Sequence, residues 1–212
     1  MREIAVTSTT SGIGKTVIST ILGIGLKRYY RNVALFSLTT IGVVDGIKRV
    51  RIGKADLDIY KKDNLLILSK PLPPNYEEFI SIIHEVRKYC LSLGVSVLIM
   101  DIPINVSYAK YVAKGADVIV LVYTDFDFHL IRTLIDKMAR LTPHLVLVKN
   151  YADESRITTR DEGNYVYALF DAPFIYELAE AEDLIELLKR ITHRVLKRFM
   201  PVIELINRWC PQ

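Results

Sequence analysis

Short runs that are apolar at nearly every position alternate along this chain with longer segments whose apolar residues recur at helical spacing. Glu3 to Thr7, Asn32 to Ser37, Leu65 to Leu68, Val95 to Met100, Val118 to Tyr123, Leu145 to Val148 and Tyr165 to Phe170 read as strands. Thr16 to Tyr30, Tyr76 to Leu93, Phe126 to Arg140 and Ile175 to Lys197 read as the helices between and after them. A strand that is apolar on both of its faces must be covered on both faces. Alternation with helices then predicts an α/β fold, a doubly wound and mainly parallel sheet with helices on either side. No internal repeat, low-complexity tract or linker divides the chain, so residues 1–212 read as a single domain with a basic amphipathic C-terminal segment at 191–212.

Composition narrows the class further. Half of the 212 residues are hydrophobic, which excludes a disordered chain and allows a full core. A net charge of +4 permits an anionic partner without arguing for nucleic acid. Cys90 and Cys210 are the only cysteines, too far apart for a disulfide framework or a zinc spacing, so a cytoplasmic setting is expected. Met1-Arg2-Glu3 leads into the first strand without the features of a secretory leader, and the apolar run Val17 to Leu26 is too short to span a bilayer. Glutamine occurs once, at Gln212, beside abundant Ile, Val, Lys and Arg, a bias that suggests a thermophile.

The chemistry concentrates after the first strand, in VTSTTSGIGKTVIST from Val6 to Thr20. Gly12 and Gly14 let backbone N–H groups turn inward without a Cβ in the way. The first turn of the following helix adds free N–H donors and the positive end of its dipole. Ser11, Gly12, Ile13, Gly14, Lys15, Thr16 and Val17 are therefore the candidate nucleotide-binding residues. Lys15 would reach the β- and γ-phosphates, and Thr16 would offer its hydroxyl to Mg²⁺. The general pattern G-x-x-x-x-G-K-[ST] asks for glycine where this chain has Thr9.

Thr9-Thr10-Ser11-Gly12-Ile13-Gly14-Lys15-Thr16 resembles the loop of the dethiobiotin synthetase and cobyrinic acid amidase branch of the P-loop proteins. The wider chain resembles the related MinD/ParA ATPases. VLIMDIP, from Val97 to Pro103, looks like the strand of that family that ends in Asp-x-Pro. By that resemblance Asp101 holds the Mg²⁺ shell and, with Lys15, is a catalytic candidate. GADVIVLVYTDFDFHLIRTL and DAPFIYELAEAE are similar to later family segments, and LVLVKN puts Asn150 where relatives read the adenine edge. The resemblance implies a P-loop NTPase fold, ATP and Mg²⁺ as cofactors, and a homodimer or another protein as partner.

Three departures qualify it. Thr10 stands where ParA-like loops carry a lysine that reaches the partner subunit's nucleotide. Ser37 and Thr39 stand where the family places two aspartates, and Asp45 in VVDG is the nearest acid, better read as an Asp-Gly turn. Dethiobiotin synthetases place a catalytic lysine at the end of that strand, where Ser37 stands here. The leading expectation is a nucleotide-binding MinD/ParA-like switch protein with weak or partner-dependent hydrolysis. The alternatives are an ATP-dependent small-molecule ligase and a nucleotide-independent scaffold of the same fold.

Other features have plainer readings. Lys48, Arg49, Arg51 and Lys54 read as a solvated hairpin, with DNA left open as a partner. Ile191, Val195, Phe199, Val202, Ile203 and Ile206 share one helical face amid basic residues. MinD proteins end in a helix of this character that lies on the membrane, yet packing against the body is the favoured expectation here. Pro201 is expected to interrupt the helix. Asp125 and Asp127 read as helix caps, and four scattered histidines support no nucleophilic catalysis.

Overall fold

A computed structural model describes residues 1–39, 41–42, 45–102, 106–125, 128–152, 156–162, 166–173, 178 and 180–210. The elements are β1 (Arg2–Ser8), α1 (Lys15–Leu26), β2 (Val33–Ser37), β3 (Lys48–Ile52), β4 (Ala55–Lys62), β5 (Leu65–Ser69), α2 (Tyr76–Ser92), β6 (Val97–Asp101), α3 (Val106–Ala113) and β7 (Val118–Tyr123). There follow α4 (Phe128–Met138), β8 (His144–Ala152), β9 (Arg156–Asp161), β10 (Val166–Pro173), α5 (Leu184–Arg190) and α6 (His193–Trp209).

All ten strands join one sheet in the order β3-β4-β5-β2-β6-β1-β7-β8-β10-β9. From β5 across to β10 every neighbouring pair is parallel. The hairpin β3–β4 closes one edge and β9 closes the other, both antiparallel. Residues alternate along each central strand between two cores. Val6, Leu35, Ile99 and Val120 face α1, α5 and α6. Ala5, Phe36, Met100 and Leu121 face α2, α3 and α4. This period-2 division is why these strands are apolar throughout.

Some expectations hold and others are corrected. The basic segment is indeed a hairpin, β3–β4, with Lys48, Arg49, Arg51 and Lys54 exposed. The edge strand β9 is absent from the sequence reading because Arg156, Thr158, Thr159 and Arg160 are exposed and polar, without an apolar run to mark them. The last helical segment is broken at Ile191–Thr192, where Thr192 Oγ1 accepts from Val195 N and starts a new helix. Pro201 does not end α6, which runs on to Trp209. Burial of Phe199, Val202, Ile203 and Ile206 against α1 and β10 holds it through the proline. His144 stacks on Trp209 with ring centroids 4.9 Å apart, and Tyr30 donates to the Cys210 carbonyl, tying down the far end. The apolar face of the tail is thus core, as favoured, rather than a membrane surface. Among the described residues no helix is long and apolar enough to cross a membrane.

Candidate functional site

Parallel pairing brings the ends of β1, β6 and β2 to one level. Asp101 pairs in register with Val6 of β1 and with Ser37 of β2. The loop that leaves β1 therefore passes directly over Asp101. Gly12 and Gly14 take φ of +75° and +86°, the left-handed region that favours glycine. Gly14 caps α1 with its backbone, and a Cβ there would stand 2.4 Å from Asn150 Nδ2. The first turn of α1 holds no acid of its own, and Lys15, Thr16 and Val17 line the loop's cavity, so the positive end of the helix dipole lies beside it.

Thr9 explains the departure from the general loop pattern. Among the described residues, Asp63 and Tyr151 are the only non-glycines with positive φ, so Thr9 occupies ordinary backbone space that needs no glycine. Its N–H donates to the Val122 carbonyl at 3.1 Å, which ties the loop to β7. Above the loop lies a cavity of about 390 Å³, lined by residues between Ser8 and Val17 and by Thr39. Ile13, although expected at the site, is not among the lining residues, and its side chain belongs to the core.

Asp101 is the hub. It is 1% exposed and accepts from Lys15 Nζ at 2.7 Å, Thr16 Oγ1 at 2.7 Å and Ser37 Oγ at 2.8 Å. Ser37 Oγ also lies 2.9 Å from Thr39 Oγ1, and Ser69 donates to the Thr39 carbonyl. Hydroxyls thus occupy the ground where the resemblance implies two carboxylates. Asp45 is exposed in a turn before Gly46, whose φ is +94°, and does not replace them. Among the described residues no cluster of three or more His, Cys, Asp or Glu could hold a metal by itself. A hydroxyl and one buried carboxylate nonetheless fit Mg²⁺, which keeps most of its waters and shares phosphate oxygens.

On the other side of the loop, Asn150 Nδ2 donates to the Ile13 carbonyl at 2.8 Å. It lies within β8, which runs four residues beyond the expected end at Val148. Asp125 pairs with Lys149 at 2.9 Å, and Asp127 lies outside the described residues. Among the described residues no histidine lines the cavity. Burial pushes the Cys90 and Cys210 thiols up to about 12, so neither is a nucleophile. Sequence reading missed Tyr151, whose hydroxyl stands 3.4 Å from the Gly12 carbonyl oxygen, since only the local β8–β10 register marks it.

No protein-family model and no curated protein matches the chain. A solved ParA family ATPase from Chlorobium tepidum aligns over 96% of this chain and 98% of its own, with TM-score 0.61 and 13% identity. The fold is that of the MinD/ParA P-loop ATPases. Apo McdA from Cyanthece shares the MinD/ParA fold over 97% of this chain and 99% of its own, with TM-score 0.55 and 14% identity. The MinC:MinD cell division complex from Aquifex aeolicus aligns over 70% of this chain and 68% of its own, with TM-score 0.50 and 18% identity. At these identities the MinD/ParA likeness speaks for architecture. The chemistry rests on the residues.

Proposed function

We propose that the chain is an ATP-binding switch protein of the MinD/ParA kind, with Mg²⁺ as its metal and with weak or partner-dependent hydrolysis. The convergence of Lys15 and Thr16 on Asp101, directly beneath a glycine loop and a helix N-terminus, carries this reading. Lys15 exchanges Asp101 for the β- and γ-phosphates when nucleotide enters. Backbone N–H groups from Ser11 to Val17 cradle the phosphates. Thr16 and Asp101 would hold Mg²⁺, which would supply neutralisation of phosphate charge. Asn150 steadies the loop next to the nucleoside.

Ser37 and Thr39 support slow hydrolysis, because a hydroxyl carries none of the charge with which a carboxylate supports metal and water. Ser37 also stands where a synthetase would need a lysine, which speaks against the ligase reading. A homodimer or a second protein covering the cavity would supply what the site lacks, although Thr10 offers no cation for such a contact. Calorimetry with Mg·ATP, followed by a turnover assay, tests the proposal. Saturable binding with turnover well below one per minute supports it. Absence of binding would leave a nucleotide-independent scaffold.

A further inference from the structure

At the end of β8 the pairing with β10 slips. Lys149 pairs with Asp171 and Ala152 with Pro173, so Asn150 and Tyr151 together face Ala172. This is a β-bulge, a device that re-aims side chains beside sites. Tyr151 takes φ of +66°, a strained conformation for an aromatic residue. Its side chain reaches the loop at Gly12, yet the residue stays 47% exposed.

We propose that Tyr151 is the stacking surface for the nucleobase, and that the site selects purines by ring area rather than by hydrogen bonds to the base edge. This rests on the reading that the loop holds a nucleoside triphosphate. The sheet order gives the direction. Asp101 and Ser37 lie on β6 and β2, to one side of β1, whereas Asn150 and Tyr151 lie on β8, to the other. With the terminal phosphates drawn to Lys15, Thr16 and Asp101, the nucleoside extends toward the bulge. Asn150 spends one amide N–H on the Ile13 carbonyl and, at 9% exposed, presents little of its remaining N–H and Oδ1 to a base edge. Tyr151 offers a π-face instead. Stacking tolerates any base and grows with ring size.

The test is calorimetric titration of the full chain with ATP, GTP, UTP and inorganic tripolyphosphate, each with Mg²⁺, for wild type, Tyr151→Phe and Tyr151→Gly. Glycine accepts the backbone conformation, so Tyr151→Gly keeps or raises the melting temperature. Wild type is expected to bind ATP and GTP with similar affinity, each about 5- to 150-fold tighter than tripolyphosphate, with UTP between. Tyr151→Phe retains that margin. Tyr151→Gly loses it for both purines and leaves tripolyphosphate affinity unchanged. Unaltered ATP affinity in Tyr151→Gly, an equal loss for tripolyphosphate, or a preference for ATP over GTP beyond about tenfold overturns the stacking role while leaving the phosphate site intact. A wild type that binds neither ATP nor tripolyphosphate overturns both readings.

Discussion

Lys15 Nζ stands 2.7 Å from Asp101 Oδ1, and the carboxylate side chain is 1% exposed against 17% for the lysine. The cation proposed to meet the phosphates thus neutralises the anion proposed to hold the metal. The pair maintains the site as well as equipping it, because a buried carboxylate without a cation is costly. Removal of the lysine therefore strikes stability along with binding. Lys15→Met should lower stability by about 3 kcal/mol. Adding Asp101→Asn to it should restore part of that loss, with a coupling of about 1–3 kcal/mol in a double-mutant cycle by urea unfolding. Strict additivity would mean that the pair is not formed in solution.

Ser37 donates to Asp101 at 2.8 Å, so Ser37→Asp sets two carboxylates side by side. Like charges at that distance destabilise the metal-free protein. A divalent cation relieves the repulsion. The variant should melt lower than wild type in chelator and gain more from millimolar Mg²⁺ than wild type does. The same melting shift with and without Mg²⁺ counts against a metal position between Thr16 and Asp101.

Gly12 and Gly14 separate two roles of glycine. Both have positive φ, but a Cβ on Gly12 meets no atom within 4 Å, whereas one on Gly14 meets Asn150 Nδ2 at 2.4 Å. Gly12→Ala carries only the left-handed backbone cost, about 1–2 kcal/mol. Gly14→Ala adds displacement of Asn150 and loss of its bond to Ile13. Its melting temperature and its affinity for Mg·ATP should both fall further than those of Gly12→Ala.

Phe199 is 2% exposed on α6, packed near Phe170 with ring centroids 5.5 Å apart. Phe199→Ala should destabilise by about 3–5 kcal/mol. The intact protein should stay unbound in flotation with anionic vesicles, since the apolar face of α6 is already covered. Flotation of folded protein would place that helix on the membrane.

Alkali should weaken the fold. Burial raises Tyr30 and Tyr123 from 10.0 to about 12, and Cys90 and Cys210 from 9.0 to about 12. Above pH 9 the unfolded chain releases these protons while the folded one keeps them. The unfolded state then binds fewer protons, and stability falls as pH rises. It is fully present below pH 9 and is lost progressively up to pH 12. Denaturant midpoints measured between pH 8 and pH 11 should decline; a flat series would contradict the burial of these groups as neutral species.

The sequence by itself determined the layered α/β class, the central strands and the phosphate loop, because burial on both faces writes an apolar run and a tight anion cradle demands glycines. These are local demands, met within a few residues of each other. Only the tertiary structure decided what depends on register between distant strands. Val6, Ser37 and Asp101 meet because parallel strands finish level. The same pairing bonds Ser37 to the acid it sits beside. Tyr151 is turned toward the loop by a slip against β10 that no residue type announces. The stripe on α6 would suit a protein core, the favoured reading, or a bilayer. Gly25 resolves it, since the absence of a Cβ there lets Ile203 Cδ1 approach to 2.3 Å of where one would sit, and α6 closes onto α1.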